Sequence, residues 1–122
     1  MTYEITVESS FSAAHRLKGY KGKCENLHGH NWRIQATFTK KSLDKIGLVM
    51  DFNDAKKILE QALFELDHKD INKIGVFKKC NPTSELIAKF VFKKIEKAVA
   101  NKARLEKVSV WETPTSCASY SR

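Results

Sequence analysis

Two histidines spaced as a pair raise the question of what this chain can do. In "CENLHGHNW" (24–32), His28 and His30 stand two residues apart and Cys24 lies four residues ahead of His28. On a strand, residues two apart share a face, so both imidazoles point the same way. Zinc takes imidazole nitrogen at about 2.0–2.1 Å in a tetrahedral arrangement, so an H-x-H strand supplies two ligands without bending the backbone. His15, at the end of the alternating run "TYEITVESSFSAAH", is the other histidine set among apolar strand residues and is the candidate third ligand. Three neutral histidines leave a fourth position open, the arrangement used for catalysis rather than scaffolding. The plainer reading stays beside it: strand histidines also pack or hydrogen-bond with no metal.

Other side chains stand out singly. Cys24 sits between Lys23 and Glu25 with Lys21 nearby; a thiol among lysines and near a divalent cation ionises more readily and becomes a usable base or nucleophile. Cys80 and Cys117 have no such setting and read as small buried apolar residues. His68, in "ELDHKDIN", reads as a cation at a helix C-terminus. With Asp67 or Asp70 beside it, it reads as a proton carrier whose tautomer a carboxylate fixes. Glu112 follows Val108 and Val110 on the inward face of "VSVWETP". An inward carboxylate is costly unless paired, either with Lys or Arg or with a ligand that offers two adjacent N–H donors, as a guanidine-like edge does.

The elements that must position these residues alternate clearly. The first segment predicts a strand with Tyr3, Ile5, Val7, Phe11, Ala13 and His15 on one face, provided no bulge intervenes. After the loop "KGYKGKCEN", His28, His30, Trp32, Ile34, Ala36 and Phe38 share a face of a second strand, and "LVMDF" reads as a shorter third. Ala55, Ile58, Leu59, Ala62, Leu63 and Leu66 then form a helical stripe, followed by a second stripe of Leu86, Ile87, Phe90, Val91, Ile95 and Val99. Asn81 reads as the second helix's N-cap with Pro82 at its first position. The end, "LEKVSVWETPTSCASYS", is a strand broken at Pro114 and a short final strand. Strands in runs with paired helices between them predict an α+β domain over residues 1–122, an antiparallel sheet covered on one face by two helices.

The 122 residues, 42% hydrophobic and 30% charged, suit one globular domain. The opening "MTYEITVESS" lacks the apolar core of a signal peptide, and no apolar run reaches the roughly 18 residues of a membrane span, so a cytoplasmic protein with no membrane partner is expected. Three widely spaced cysteines without a CxxC pair indicate neither a disulfide framework nor a zinc ribbon. The net charge of +8 is spread over scattered lysine pairs, which favours a solvated surface, with no nucleic-acid partner, over an RNA-binding face.

Taken in order, "FSAAHRL", "CENLHGHNW", "VMDF", "LDHKDIN", "NPTSE" and "VWETPTS" resemble the 6-pyruvoyl-tetrahydropterin synthase and 6-carboxy-tetrahydropterin synthase family across nearly the whole chain. The spacing Cys24-x-x-x-His28-x-His30 looks most like the bacterial 6-carboxy-tetrahydropterin synthases of the queuosine (7-deazaguanine) pathway. The resemblance implies the tunnelling fold, with a four-stranded antiparallel sheet, two antiparallel helices on its outer face, three subunits closing a barrel and usually two trimers stacking into a hexamer. It implies a lyase that converts 7,8-dihydroneopterin triphosphate to 6-carboxy-5,6,7,8-tetrahydropterin, acetaldehyde and triphosphate. His15, His28 and His30 match the family's zinc ligands, Cys24 its catalytic thiol, and His68 with Asp67 its proton relay. Asp67 can orient His68 only where the helix has ended, because neighbours in a helix point about 100° apart. Glu112 matches the carboxylate that anchors the pterin through N3 and the 2-amino group. Arg16, Lys18, Lys21 and Lys23 are candidates for the triphosphate, and Thr83, Ser84 and Thr113 for the pterin edge. Cys117 departs from the bulky aromatic expected after "PTS". The rivals are 6-pyruvoyl-tetrahydropterin formation, a relative that makes the hydroxymethyl pterin of folate synthesis, against which the thiol of Cys24 argues because such variants usually carry glutamate near that position, and a non-catalytic, zinc-stabilised basic module that binds RNA. A zinc hydrolase is disfavoured by the absence of HExxH.

Overall fold

The computed structural model describes residues 1–19, 22 and 25–122, so Lys21, Lys23 and Cys24 lie outside the described residues. Two long strands, β1 (Tyr3–His15) and β2 (His28–Lys40), pair antiparallel in one unbroken register from Tyr3↔Lys40 to His15↔His28. No bulge interrupts this ladder, so the expected parity holds to the last residue. Val7, Phe11, Ala13 and His15 face the core from β1; Trp32, Ile34, Ala36 and Phe38 face it from β2. The parity that buries these apolar residues also sets the three histidines on the core side.

Helix α1 (Phe52–Leu63) buries Ala55, Ile58, Leu59, Ala62 and Leu63, while Leu66, just beyond the helix, completes the stripe. Helix α2 (Ser84–Val99) buries Ile87, Ala88, Val91, Phe92, Ile95 and Val99. Its expected stripe is shifted: Leu86 and Phe90 are only partly buried, and Ala88 and Phe92 take the inner positions. The first helix packs on β1, the second on the C-terminal strands β4 (Arg104–Thr113) and β5 (Ser116–Ser121), and the two touch each other. Each large apolar side chain fully withdrawn from water contributes about 1.5–3 kcal/mol, and Trp32, Phe38, Leu59, Ile87, Ile95 and Leu105 are all in that condition.

Three expectations are corrected. "LVMDF" is not a strand: Val49 and Met50 are buried, but Asp51 caps α1, its carboxylate accepting from the Asn53 N–H at 2.7 Å. A cap at Asp51 commits the next residue to the helix, which leaves the short apolar run as a buried approach. Second, α2 is capped by Thr83, whose hydroxyl accepts from the Leu86 N–H at 3.2 Å. The Asn81 amide is engaged elsewhere, accepting from Lys18 N–H and donating to Lys18 C=O, each at 2.8 Å. Third, Cys80 and Cys117 are exposed. Cys80 lies in the turn before α2, and Cys117 pairs with Trp111 on the face of β5 away from the helices.

A two-residue strand, β3 (Lys69–Asp70), adds in parallel beside Ala13 and Ala14 of β1. Among the described residues the sheet then has five strands in the order β3-β1-β2-β4-β5, of which four are antiparallel as expected. The face opposite the helices is polar. Thr6 and Thr37 share a hydrogen bond, as do Ser109 and Ser119, and the Arg33 guanidinium lies 4.4 Å from the centre of the Trp111 ring. No helix among the described residues is long and apolar enough to cross a membrane.

Candidate metal centre

The β1–β2 register sets His28 directly opposite His15, with His30 one step along the same face, opposite Ala13. The ring centres lie 4.6 Å apart for His15 and His28, 4.8 Å for His28 and His30, and 5.4 Å for His15 and His30. Trp32 forms the floor. It is fully buried, stacks on Phe11, and turns its ring edge-to-face toward both His15 and His30. Its indole N–H donates to the Ala13 carbonyl at 3.2 Å, which fixes the ring.

Backbone carbonyls select the tautomers. Nδ1 of His15 lies 2.8 Å from the Pro82 carbonyl, and Nδ1 of His28 lies 2.7 Å from the Asn26 carbonyl. A carbonyl oxygen only accepts, so both Nδ1 atoms carry hydrogen and both Nε2 atoms offer lone pairs when the rings are neutral. Burial pushes His15 below its ordinary pKa, outweighing the Pro82 carbonyl, and burial likewise pushes His30 down against the pull of Glu112. Both rings are therefore biased toward the neutral form, the one whose lone pair can accept a cation.

Oε1 of Glu112 lies 3.1 Å from Nε2 of His15 and 3.4 Å from Nε2 of His30. With its hydrogen held on Nδ1 by the Pro82 carbonyl, a neutral His15 makes no ion pair here: its Nε2 lone pair faces the Glu112 oxygen, acceptor against acceptor. Both Nε2 atoms are buried without a hydrogen-bond partner, a state that costs about 1–3 kcal/mol for each such group. A cation between them removes the conflict. The four ligand atoms, from His15, His28, His30 and Glu112, all lie within 4.8 Å of one another. Three imidazoles and a carboxylate suit a borderline divalent ion.

The remaining candidates fall around this centre or away from it. Thr83 and Ser84 follow Pro82, whose carbonyl holds His15, and Thr113 follows Glu112. The segment after His15 is tied down by two asparagines: Asn72 brackets the backbone of Arg16, and Asn81 that of Lys18. A cavity of ≈ 320 Å³ there is lined by Arg16, Lys18, Leu27, Asp70, Asn72 and Lys73. Asp67 and His68 lie elsewhere. With α1 ended at Leu63, His68 adopts a φ of 59°, and its Nδ1 lies 3.0 Å from Oδ1 of Asp67. Asp67 also accepts the Ser12 N–H at 3.0 Å, and chiefly for that reason its carboxyl is held below the ordinary range. The pair stands at the β1 edge of the sheet, outside the four-ligand group, and the His68 side chain is 81% exposed. Cys24 and Lys23 lie outside the described residues. Sequence reasoning missed the carbonyls of Asn26 and Pro82, which carry no side-chain signal, and the part of Trp32, whose inward parity was the available clue.

A family model described as 6-pyruvoyl tetrahydropterin synthase matches residues 4–122. The chain belongs to that family. Among curated relatives, it is 40% identical to a 6-carboxy-5,6,7,8-tetrahydropterin synthase of Synechocystis, over 95% of this chain and 91% of that one. It is 36% identical to a dihydroneopterin monophosphate aldolase of Pyrococcus furiosus, over 92% of this chain and 91% of the relative. Its fold matches the solved 6-pyruvoyl tetrahydropterin synthase of Caenorhabditis elegans with a TM-score of 0.90 at 31% identity, covering 100% of this chain and 96% of the other. The four antiparallel strands with two helices are thus the tunnelling fold of this synthase family.

Proposed function

We propose that the chain is a zinc-dependent 6-carboxy-5,6,7,8-tetrahydropterin synthase acting on 7,8-dihydroneopterin triphosphate and releasing acetaldehyde and triphosphate, in the 7-deazaguanine (queuosine) route. The observation that carries this reading is the convergence of His15, His28 and His30 on one point with the Glu112 carboxylate beside them. The C-x-x-x-H-x-H spacing and the 40% identity to the Synechocystis synthase favour the carboxy product.

Each residue has a definite task in this reading. His15, His28 and His30 hold zinc, which when bound supplies a Lewis acid that eases proton loss from the substrate's side-chain hydroxyls. Cys24 takes protons from that side chain. Asp67 receives the Nδ1–H of His68, leaving Nε2 of His68 free to exchange protons. Glu112 offers two oxygens to the adjacent N–H donors of the pterin. Thr83, Ser84 and Thr113 are polar neighbours for the pterin edge, and Arg16 and Lys18, with Lys23, are cations for the triphosphate.

His68 stands outside its own four-ligand group at an open sheet edge, so the relay serves a site completed by a second copy of the chain. A trimeric barrel, doubled in a hexamer, is supported by the bare polar face and by the sparsely covered edges at β1 and β5. The test is incubation of purified protein with 7,8-dihydroneopterin triphosphate, product identification by mass, and zinc per subunit. Acetaldehyde with the carboxy pterin is expected. A 6-pyruvoyl product without acetaldehyde would move the chain to the other synthase class. The 36% identity to the Pyrococcus furiosus aldolase favours a second reading, retro-aldol cleavage, which predicts a hydroxymethyl pterin.

A further inference from the structure

We propose that Glu112 has two stations: in the substrate-free protein it closes the fourth coordination position of the three-histidine centre, and a docking pterin draws it off. Metal–ligand bonds of about 2.0–2.1 Å in a tetrahedron place neighbouring ligand atoms about 3.3–3.4 Å apart. The Glu112 oxygen stands 3.1 Å and 3.4 Å from the Nε2 atoms of His15 and His30, the spacing of a ligand. A purely pterin-facing carboxylate has no reason to press against the buried, partnerless lone pair that the Pro82 carbonyl leaves on Nε2 of His15. The backbone accounts for the placement. Trp111 pairs with Cys117 and Thr113 with Ser116, so Glu112 is the extra residue of a bulge, and a bulge re-aims its side chain.

The side chain is 30% exposed, so a ligand can reach it from solvent. A two-point grip on adjacent N–H donors uses both carboxylate oxygens, and Oε1 cannot serve the grip and the ion fully at once. The two contacts therefore compete, and by linkage the competition is reciprocal: bound pterin weakens the hold on metal, and bound metal weakens the hold on pterin. The coordination position stays closed by an anion until the ring has docked, and only then opens beside the substrate side chain. The release half rests on the pterin-synthase reading; the ligand half does not.

The experiment uses full-length protein and unsubstituted pterin, which lacks the side-chain hydroxyls of the proposed substrate. Zinc affinity is measured by chelator competition for the wild type, for Glu112→Ala and for the nearly isosteric Glu112→Gln, which guards against misfolding. Both variants should bind zinc about tenfold or more weakly, at least the loss seen on removing a supporting contact. The visible spectrum of the cobalt(II)-substituted wild type should change on adding pterin, and that of Glu112→Ala should not. Equal zinc affinities overturn the ligand half. An unchanged cobalt spectrum with pterin bound, as followed by its fluorescence, overturns the release half. Pterin that fails to bind at all removes the release half together with the pterin reading, while the zinc comparison still decides the ligand half.

Discussion

The Pro82 carbonyl accepts from Nδ1 of His15 at 2.8 Å, so the turn that leads into α2 sets the tautomer of a candidate metal ligand on β1. The histidine cluster is thereby mechanically tied to a helix start. Pro82 is buried, and the next residue, Thr83, anchors the turn by capping the helix.

Thr83→Ala should accordingly do two things. Loss of the cap costs about 1 kcal/mol of stability, and a looser Pro82 carbonyl weakens metal binding. Thr83→Ser keeps the hydroxyl and should restore both. Urea unfolding and chelator competition measure the pair; a variant that loses stability with unchanged metal affinity breaks the proposed link between the turn and the centre.

Trp32 offers a second test. It packs under His15 and His30 and donates to the Ala13 carbonyl. Trp32→Phe retains an aromatic floor but leaves that buried carbonyl without the donor, at about 1–3 kcal/mol. Trp32→Ala adds a cavity and should cost about 3–5 kcal/mol. Thermal and denaturant unfolding should rank the three proteins in that order, with bound metal per subunit falling in parallel.

Most of this centre was legible because one rule covers it. Alternation in β1 and β2 buries Phe11 and Trp32, and the same count puts His15, His28 and His30 on their side. It held because no bulge breaks that ladder. Glu112 was legible in direction only: parity turned it inward, but the bulge that brings it to the histidines leaves no local mark. The helix start was ambiguous in "NPTS", which holds two good caps, and the choice rests on Lys18, 63 residues from Asn81. Cys117 followed the opposite parity, that of Trp111, onto the uncovered face, so its side chain is exposed despite standing in a strand.

Zinc should stabilise the folded chain without being required for folding, since the core extends well beyond the histidines. At 100 times the dissociation constant the linkage contribution is about 2.7 kcal/mol, read as a rise in Tm with zinc concentration. His28→Ala removes a half-buried ligand and should abolish that rise while leaving the metal-free Tm nearly unchanged. A metal-free protein that is unfolded would instead favour the zinc-stabilised module.

Asp67 provides a pH test away from the metal. The Ser12 N–H first, and His68 second, hold its carboxyl below the ordinary range. A depressed folded pKa gives stability that is present in full above the unfolded-chain value of about 3.9 and is lost as pH falls through the folded value. The pair is well exposed and screened by solvent, so the loss is local and global unfolding should barely register it. The readout is amide-exchange protection at Ser12 and at His68, whose N–H donates to the Ser12 carbonyl. Wild type should exceed Asp67→Asn in protection at pH 7, and the two should converge in acid as the carboxylate becomes protonated. Equal protection at pH 7 would show that the negative charge of Asp67 does not hold the edge of β1, and with it would go the argument that this edge presents His68 in a fixed tautomer.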